Sequence, residues 1–244
     1  MRIAITNDDG IYGEGLLHLV NWAKKLGDVT VFAPKFEQSG KSHTIEIHKS
    51  FEVTPVDYLP GIPAYTVDSS PADCVRIAVL GMHQKFDLVL SGINKGLNIG
   101  SDIMYSGTVA AVFEAAALGI PALALSTDPK SISTAANHMD TVWHFLQNHG
   151  LLQRHSIYNI NIPHDPQGIR VTRQGGPYFS DDFLPQENNI YLPRGKCVYT
   201  PCPCENYDTD AVLTDRYISV MPLTTQRVDF AVYDVLKDLK EELV

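Results

Sequence analysis

The sequence predicts an α/β fold: a Rossmann-like, mostly parallel sheet covered by helices on both faces, followed by an irregular β-rich C-terminal excursion and a terminal helix. Three observations predict it. Short apolar strand patterns alternate with helical patterns through the first two-thirds of the 244 residues, the order that builds a doubly covered sheet. Leu88-Val89-Leu90 is a continuous apolar run, as strands buried on both faces are. After Pro163 the alternation gives way to Pro, Gly, Asn and polar residues with scattered aromatics.

Residues 2–6 read as the first strand. Residues 14–26 read as a helix, with Leu16, Leu19, Val20 and Ala23 on one face and Gly27 as its stop. Residues 29–33 form the second strand, closed by Pro34, and Thr44-Ile45-Glu46-Ile47-His48 alternates as a strand does. Ser70-Pro71-Ala72-Asp73 supplies an N-cap, a proline at the first helical position and an acidic first turn, opening a helix over residues 71–82. A strand at 88–90, a helix at 108–118 ended by Gly119, a strand at 121–126, a helix at 131–148 closed by Gly150 and a strand at 158–162 follow. Residues 164–210 are irregular. The chain returns through a strand at 217–221 and ends in an amphipathic helix over 228–243. The expectation is one α/β domain over 1–244, with its core in about 1–163 and an oligomerisation excursion over 164–244. That excursion carries Tyr178, Phe179, Phe183, Tyr191, Tyr199 and Tyr207 without an apolar periodicity of its own, so a second copy of the chain is the expected cover.

A formal net charge of -9 argues against a nucleic-acid duplex as partner. No apolar run approaches the ~20 residues that span a bilayer, so no membrane is expected. Met1 leads directly into a strand, without a basic and apolar leader pattern. Four cysteines are too few and too irregular for a disulfide framework, and a cytoplasmic protein with reduced thiols is expected. Cys197, Cys202 and Cys204 cluster without a nearby His or fourth Cys, which argues against zinc.

Asn7-Asp8-Asp9-Gly10 empties the first strand into an acidic corner, at the sheet edge where ligands bind in open α/β folds. Two adjacent carboxylates repel unless a cation offsets them, and a divalent metal does so. The plainer reading is a turn with a helix N-cap. Ser91-Gly92-Ile93-Asn94-Lys95-Gly96-Leu97-Asn98-Ile99-Gly100-Ser101-Asp102 carries three spaced glycines and runs on to Tyr105-Ser106-Gly107-Thr108, where a helix begins. Such backbone approaches an anion closely, and the helix start offers unpaired N–H groups. An acidic metal corner beside an anion cradle makes a phosphate site. Ser39, in the loop after the second strand, reads most simply as a turn residue, although its hydroxyl could face this corner, and Asn94 could offer a carbonyl oxygen at the same edge. Carboxylate, hydroxyl and amide oxygens together form a hard set suited to Mg²⁺, Mn²⁺ or Ca²⁺. Gly40-Lys41-Ser42 mimics the end of a P-loop, but Lys35 stands where that motif needs Gly, and the first strand lacks Gly-x-Gly-x-x-Gly. His43 and His48 lie near the Ser39 loop; His138, His144 and His149 lack the spacing of a metal pair.

Taken together, Asn7-Asp8-Asp9-Gly10, Ser39-Gly40, Pro71-Ala72-Asp73-Cys74, Ser91-Gly92-Ile93-Asn94 with Gly96, Asn98 and Gly100, and Tyr105-Ser106-Gly107-Thr108-Val109 resemble the SurE family of stationary-phase survival proteins. The match continues through Asn159-Ile160-Asn161-Ile162-Pro163 and Thr209-Asp210. The resemblance implies a metal-dependent 5′-nucleotidase that hydrolyses nucleoside 5′-monophosphates, with 3′-nucleotides and short polyphosphate as further substrates. It implies one divalent ion per subunit, Mg²⁺ or Mn²⁺, on Asp8, Asp9, Ser39 and Asn94. It places Asn98, Ser106, Gly107 and Thr108 around the phosphate, with Asp8, Asp9, Asn94 and Ser106 carrying the catalysis. It also implies a homodimer or homotetramer that exchanges the excursion. The chain departs from the family pattern at Ser69-Ser70, Ala110, Arg216 and the Lys35-Phe36-Glu37-Gln38 loop. Two other classes share an acidic corner. A receiver-type phosphorylatable regulator needs an Asp after its third strand, where this chain has Ser91-Gly92-Ile93-Asn94, and a haloacid-dehalogenase-type phosphatase needs Asp-x-Asp rather than Asp-Asp.

Overall fold

In the computed structural model, which describes residues 1–202 and 205–240, the chain runs β1 (Arg2–Thr6), α1 (Glu14–Ala23), β2 (Asp28–Pro34), β3 (Val53–Pro55), β4 (Ala64–Val67) and α2 (Pro71–Arg76). It continues with β5 (Leu88–Lys95), α3 (Gly107–Ala117), β6 (Ala122–Thr127), α4 (Ile132–Asn148), α5 (Leu151–Arg154) and β7 (Ile157–Ile162). Then come β8 (Gly168–Val171), β9 (Phe179–Pro185), β10 (Tyr191–Cys197), α6 (Asp208–Leu213), β11 (Tyr217–Pro222) and α7 (Phe230–Leu236).

Nine strands form one sheet in the order β3-β4-β2-β1-β5-β6-β7-β11-β8. Strands β4, β2, β1, β5, β6 and β7 are mutually parallel, as the sequence predicts; β3 and β11 enter antiparallel at either side. From β1 the chain steps to β2 on one side, and it later enters β5 on the other. The point where strand order reverses therefore lies between β1 and β5, and ligands bind at such a point. The register pairs Ile3 with Leu88 and Thr6 with Ser91, so the loops after both strands leave the sheet at one level.

Period-2 alternation splits each strand between two cores. Ile3, Ile5 and Leu90 pack with Leu16 and Leu19 of α1 and with Met139 and Val142 of α4. Ala4, Val89 and Ala124 face Val109, Val112 and Ala115 of α3. Each fully buried Leu in these layers contributes roughly 1.5–3 kcal/mol. Helix α2 starts as the sequence dictates: the Ser70 hydroxyl accepts the Asp73 N–H at 3.1 Å, with Pro71 next in line.

Several expectations needed correction. Helix α1 ends at Ala23 rather than residue 26, and Gly27 serves a close passage, since a Cβ there would lie 1.9 Å from the Met1 carbonyl oxygen. The α-helix opened by Ser70 stops at Arg76 and continues as a π turn over Ile77–Gly81. Thr44 to His48 is not a strand. Side chains satisfy its backbone instead: the Ser70 hydroxyl donates to the Thr44 carbonyl and Asp73 accepts the Glu46 N–H. Beyond residue 163, β8 and β11 join the main sheet, whereas β9 and β10 pair as a separate hairpin. The terminal helix covers Phe230–Leu236; residues 241–243 of the expected span and Cys204 of the cysteine cluster lie outside the described residues. Not every aromatic of the excursion awaits a partner. The Tyr199 hydroxyl bonds Asp210 and Thr214, and the long Arg173 side chain stacks its guanidinium on the Tyr207 ring, so the chain itself engages both.

Candidate active site

The turn after β1 is closed by its own side chain: the Asn7 amide donates to the Gly10 carbonyl at 2.8 Å, and Gly10 takes a φ of 90° that favours glycine. Helix α1 begins later, at Glu14, with Gly13 as its cap, so neither Asp8 nor Asp9 caps it. Of the plainer reading of the acidic pair, the turn is present and the helix cap is not. The corner is also not a surface feature, as its charge suggests, because the start of α3 packs over it. Asp8 is only 4% exposed, and a Cβ on Gly107 would lie 3.0 Å from the Asp8 Cβ.

Three elements converge here. The Thr108 hydroxyl donates to Asp8 Oδ1 at 2.7 Å. The Gln38 N–H donates to the Asp8 carbonyl at 2.8 Å, bringing the Ser39 loop to the corner, and the Lys95 N–H reaches Asp9 Oδ2 at 3.3 Å from the end of β5. Burial raises the pKa of Asp8, against the Thr108 hydrogen bond. Burial first, and the neighbouring Asp8 charge second, push Asp9 up to about 6. Two carboxylates held this way call for positive charge. Among the described residues no group of three His, Cys, Asp or Glu side chains is placed to hold a metal. The fit to a hard cation therefore rests on a mixed oxygen set of Asp8, Asp9, Ser39 and Asn94. The Asn94 amide nitrogen donates to the Gly96 carbonyl at 2.8 Å, which reserves its oxygen as an acceptor. Ser39 donates its hydroxyl to Glu37 at 2.7 Å and keeps its lone pairs. Glu37, which sequence reasoning passed over, adds a third carboxylate that also raises Asp8 and Asp9.

Helix α3 presents its N-terminus to this corner. The Ser106 hydroxyl caps it by accepting the Val109 N–H at 3.1 Å, leaving its own O–H to donate elsewhere. The first N–H groups of the helix, at Gly107 and Thr108, have no acceptor within it. Asn98 is held more firmly than a loop residue on a flexible glycine-rich stretch. Its N–H donates to Asn161 Oδ1 at 2.8 Å, and its carbonyl accepts from Asn159 and Asn161 at 2.7 and 2.8 Å. Its side-chain amide donates to Ser126 at 2.8 Å. The signal for this clasp was readable, since two asparagines alternating with isoleucines on one strand share a face.

The fold and these contacts define a doubly wound α/β protein with an acidic corner at its switch point, facing a capped helix start that can hold an anion. Comparison with known proteins is specific. A family model described as "Survival protein SurE" matches residues 3–181. The chain is 34% identical over 261 residues to the 5′-nucleotidase SurE of Natranaerobius thermophilus, covering 98% of each chain. It is 37% identical over 252 residues to the 5′/3′-nucleotidase SurE of Citrobacter koseri, covering 98% of this chain and 96% of that one. The crystal structure of the SurE protein from Aquifex aeolicus superposes with a TM-score of 0.80 at 30% identity, covering 97% and 98% of the two chains. This chain belongs to the SurE family. Its departures fit locally: Ser70 performs the capping role, and Arg216 takes a φ of 58°, the left-handed conformation that glycine adopts freely.

Proposed function

We propose that this chain is a metal-dependent phosphomonoesterase that hydrolyses nucleoside 5′-monophosphates to nucleoside and inorganic phosphate. The carrying observation is the Asp8–Asp9 pair, Asp8 buried and Asp9 half-buried, facing the N-terminus of α3, with Thr108 joining the two. Its relatives named 5′-nucleotidase or 5′/3′-nucleotidase support the substrate class and extend it to 3′-nucleotides. A divalent cation held by Asp8, Asp9, Ser39 and Asn94, Mg²⁺ or Mn²⁺ by its hard ligands, supplies charge neutralisation and a lowered pKa for the attacking water.

The remaining work falls to the chain. Thr108 fixes the orientation of Asp8. Ser106 and the Gly107 N–H donate to the non-bridging phosphoryl oxygens as charge develops there, Thr108 lines the same pocket while it bonds Asp8, and Asn98 holds the loop that lines the pocket. Water attacks phosphorus as the P–O5′ bond breaks. Asp9, the less buried of the pair, accepts the water's proton and passes it to the departing O5′.

The hairpin tip with Ile190, Tyr191 and Leu192 and the exposed apolar residues of α7 support a homodimer or homotetramer formed through residues 164–244, the remainder of a single α/β domain. No helix among the described residues is long and apolar enough to cross a membrane, and the free thiols Cys74 and Cys197 suit a cytoplasmic setting.

AMP hydrolysis should vanish with EDTA and return with Mg²⁺ or Mn²⁺. Asp9→Asn should lose at least a hundredfold of it at saturating metal, with an unchanged circular dichroism spectrum. Full turnover by that variant would overturn the assignment.

A further inference from the structure

Beside the phosphate site lies a cleft of about 830 Å³ lined by Gly40, Tyr105, Phe179, Asp181, Phe183 and Gly195, among others. Neither the metal corner nor the anion cradle uses these residues. Yet Gly40 adjoins Ser39, and Tyr105 adjoins Ser106, so one wall of the cleft begins about 3.8 Å along the backbone from each. We infer that this cleft receives the purine base of the nucleotide, which makes Phe179, Tyr105 and Asp181 specificity-determining residues; the inference rests on the nucleotidase reading above.

The walls are built rather than incidental. The Ser42 N–H donates to the Tyr105 carbonyl at 3.0 Å and the Ser42 hydroxyl to the Met104 carbonyl at 2.6 Å, fastening the Ser39 loop to the 3-10 turn over Gly100–Tyr105. On the other side, Asp102 Oδ2 accepts the N–H groups of Tyr178 and Phe179 at 3.0 and 2.7 Å, which fastens the start of β9 to the same turn. The hairpin, the turn and the loop are thus held in one arrangement.

The lining matches a flat aromatic ring. Tyr105 and Phe179 are 51% and 47% exposed, large apolar faces turned to solvent in a concave surface next to a charged site. Position 195 pairs with Asp181 across the hairpin. A Cβ there would lie 3.9 Å from the Phe179 ring and 3.8 Å from Asp181 Oδ1, in ordinary contact with both. Glycine at this position therefore keeps the ring face and the carboxylate uncovered, where a longer side chain would lie over them. A carboxylate such as that of Asp181 accepts hydrogen bonds and donates none. It complements the amino group of adenine, or the N1–H and amino group of guanine, while the double ring spans more of the aromatic wall than a pyrimidine. A nucleoside monophosphate has the required polarity, with an anion at one end and a stacking ring with N–H donors at the other.

The test compares the Mn²⁺-loaded full chain on AMP, GMP, UMP and ribose 5-phosphate, which keeps the phosphate and sugar but has no base. Wild type should favour the purine nucleotides in kcat/KM. In Phe179→Ala, and independently in Gly195→Leu, the ratio of kcat/KM for AMP to that for ribose 5-phosphate should fall roughly five- to a hundredfold, the range lost with one base-stacking ring. The loss should appear mainly in KM. An unchanged ratio in both variants overturns the inference while leaving the nucleotidase reading intact. If that unchanged ratio comes with a smaller assembly by light scattering, the cleft belongs to a contact between copies instead. Failure of wild type to hydrolyse any of the four substrates overturns the nucleotidase reading itself, and the base site with it.

Discussion

At the scale of single residues, the energetic problem of this protein is concentrated in Asp8 and Asp9. Burial, and then the Asp8 charge, hold Asp9 at about 6, while burial raises Asp8 above the usual carboxylate range. A carboxyl raised on folding binds its proton more tightly in the folded state than in the unfolded chain. Its contribution to stability is therefore present below the ordinary carboxylate pKa and is lost as pH rises through about 6. The melting temperature of metal-free protein should fall between pH 5 and pH 7, and Asp9→Asn should flatten that fall. Saturating Mn²⁺ at pH 7.5 should raise Tm by roughly 5–10 °C, as expected for a ligand at a hundredfold excess over its dissociation constant on a chain of this size. A wild-type profile that Asp9→Asn reproduces would count against the coupled pair.

At the scale of elements, the loop carrying Ser39 is held through a charged cluster some distance from the site. Glu114 of α3 meets His43 Nε2 at 2.9 Å and Arg76 of α2 at 3.1 Å, while Arg76 also faces Asp73 at 3.5 Å. Asp73 in turn accepts the Glu46 N–H and the Ser69 hydroxyl. One network thereby ties the loop around residues 43–46 to α2 and to α3, the helix whose start packs over the acidic corner. His43 chiefly, and then Arg76, hold the Glu114 carboxyl below its usual range. That stabilisation is present above the ordinary carboxylate pKa and is lost as pH falls through the lowered value. Glu114→Gln should cost about 1–3 kcal/mol in urea unfolding, since Arg76 keeps partial access to water. It should also speed hydrogen exchange in residues 42–48 more than in the central strands. Equal protection in variant and wild type would show that the loop is held by other contacts.

At the scale of the whole molecule, the C-terminal part divides by destination. Strands β8 and β11 extend the sheet, whereas α7 exposes Phe230, Val232, Tyr233, Val235 and Leu236, with Leu239 beyond it. An apolar surface of that density on a lone chain supports the homo-oligomer proposed above. Truncation before Val228 should shift light scattering toward a smaller species while preserving the Mn²⁺-induced rise in Tm. A full-length chain that scatters as a monomer at micromolar concentration would remove the basis for this division.

The sequence by itself determined the layered α/β architecture and singled out the acidic corner after the first strand. Alternating patterns such as Ile3 and Ile5 against Leu16 and Leu19 are local periodicities, and Ser70-Pro71 is a local helix signal, so both are legible without a fold. The motif run from Asn7 to Thr108 likewise carried the family resemblance. Only the tertiary structure decided that the acidic corner is buried under α3, that Thr108 orients Asp8, and that Thr44 to His48 is pinned as a loop by Ser70 and Asp73. It alone joined Glu114 to His43 across 71 residues and brought Phe179 and Tyr105 to the walls of one cleft. These features depend on contacts between residues distant in the chain, where desolvation and hydrogen bonding are fixed by packing. Periodicity within a segment carries no information about which distant side chain will supply the partner.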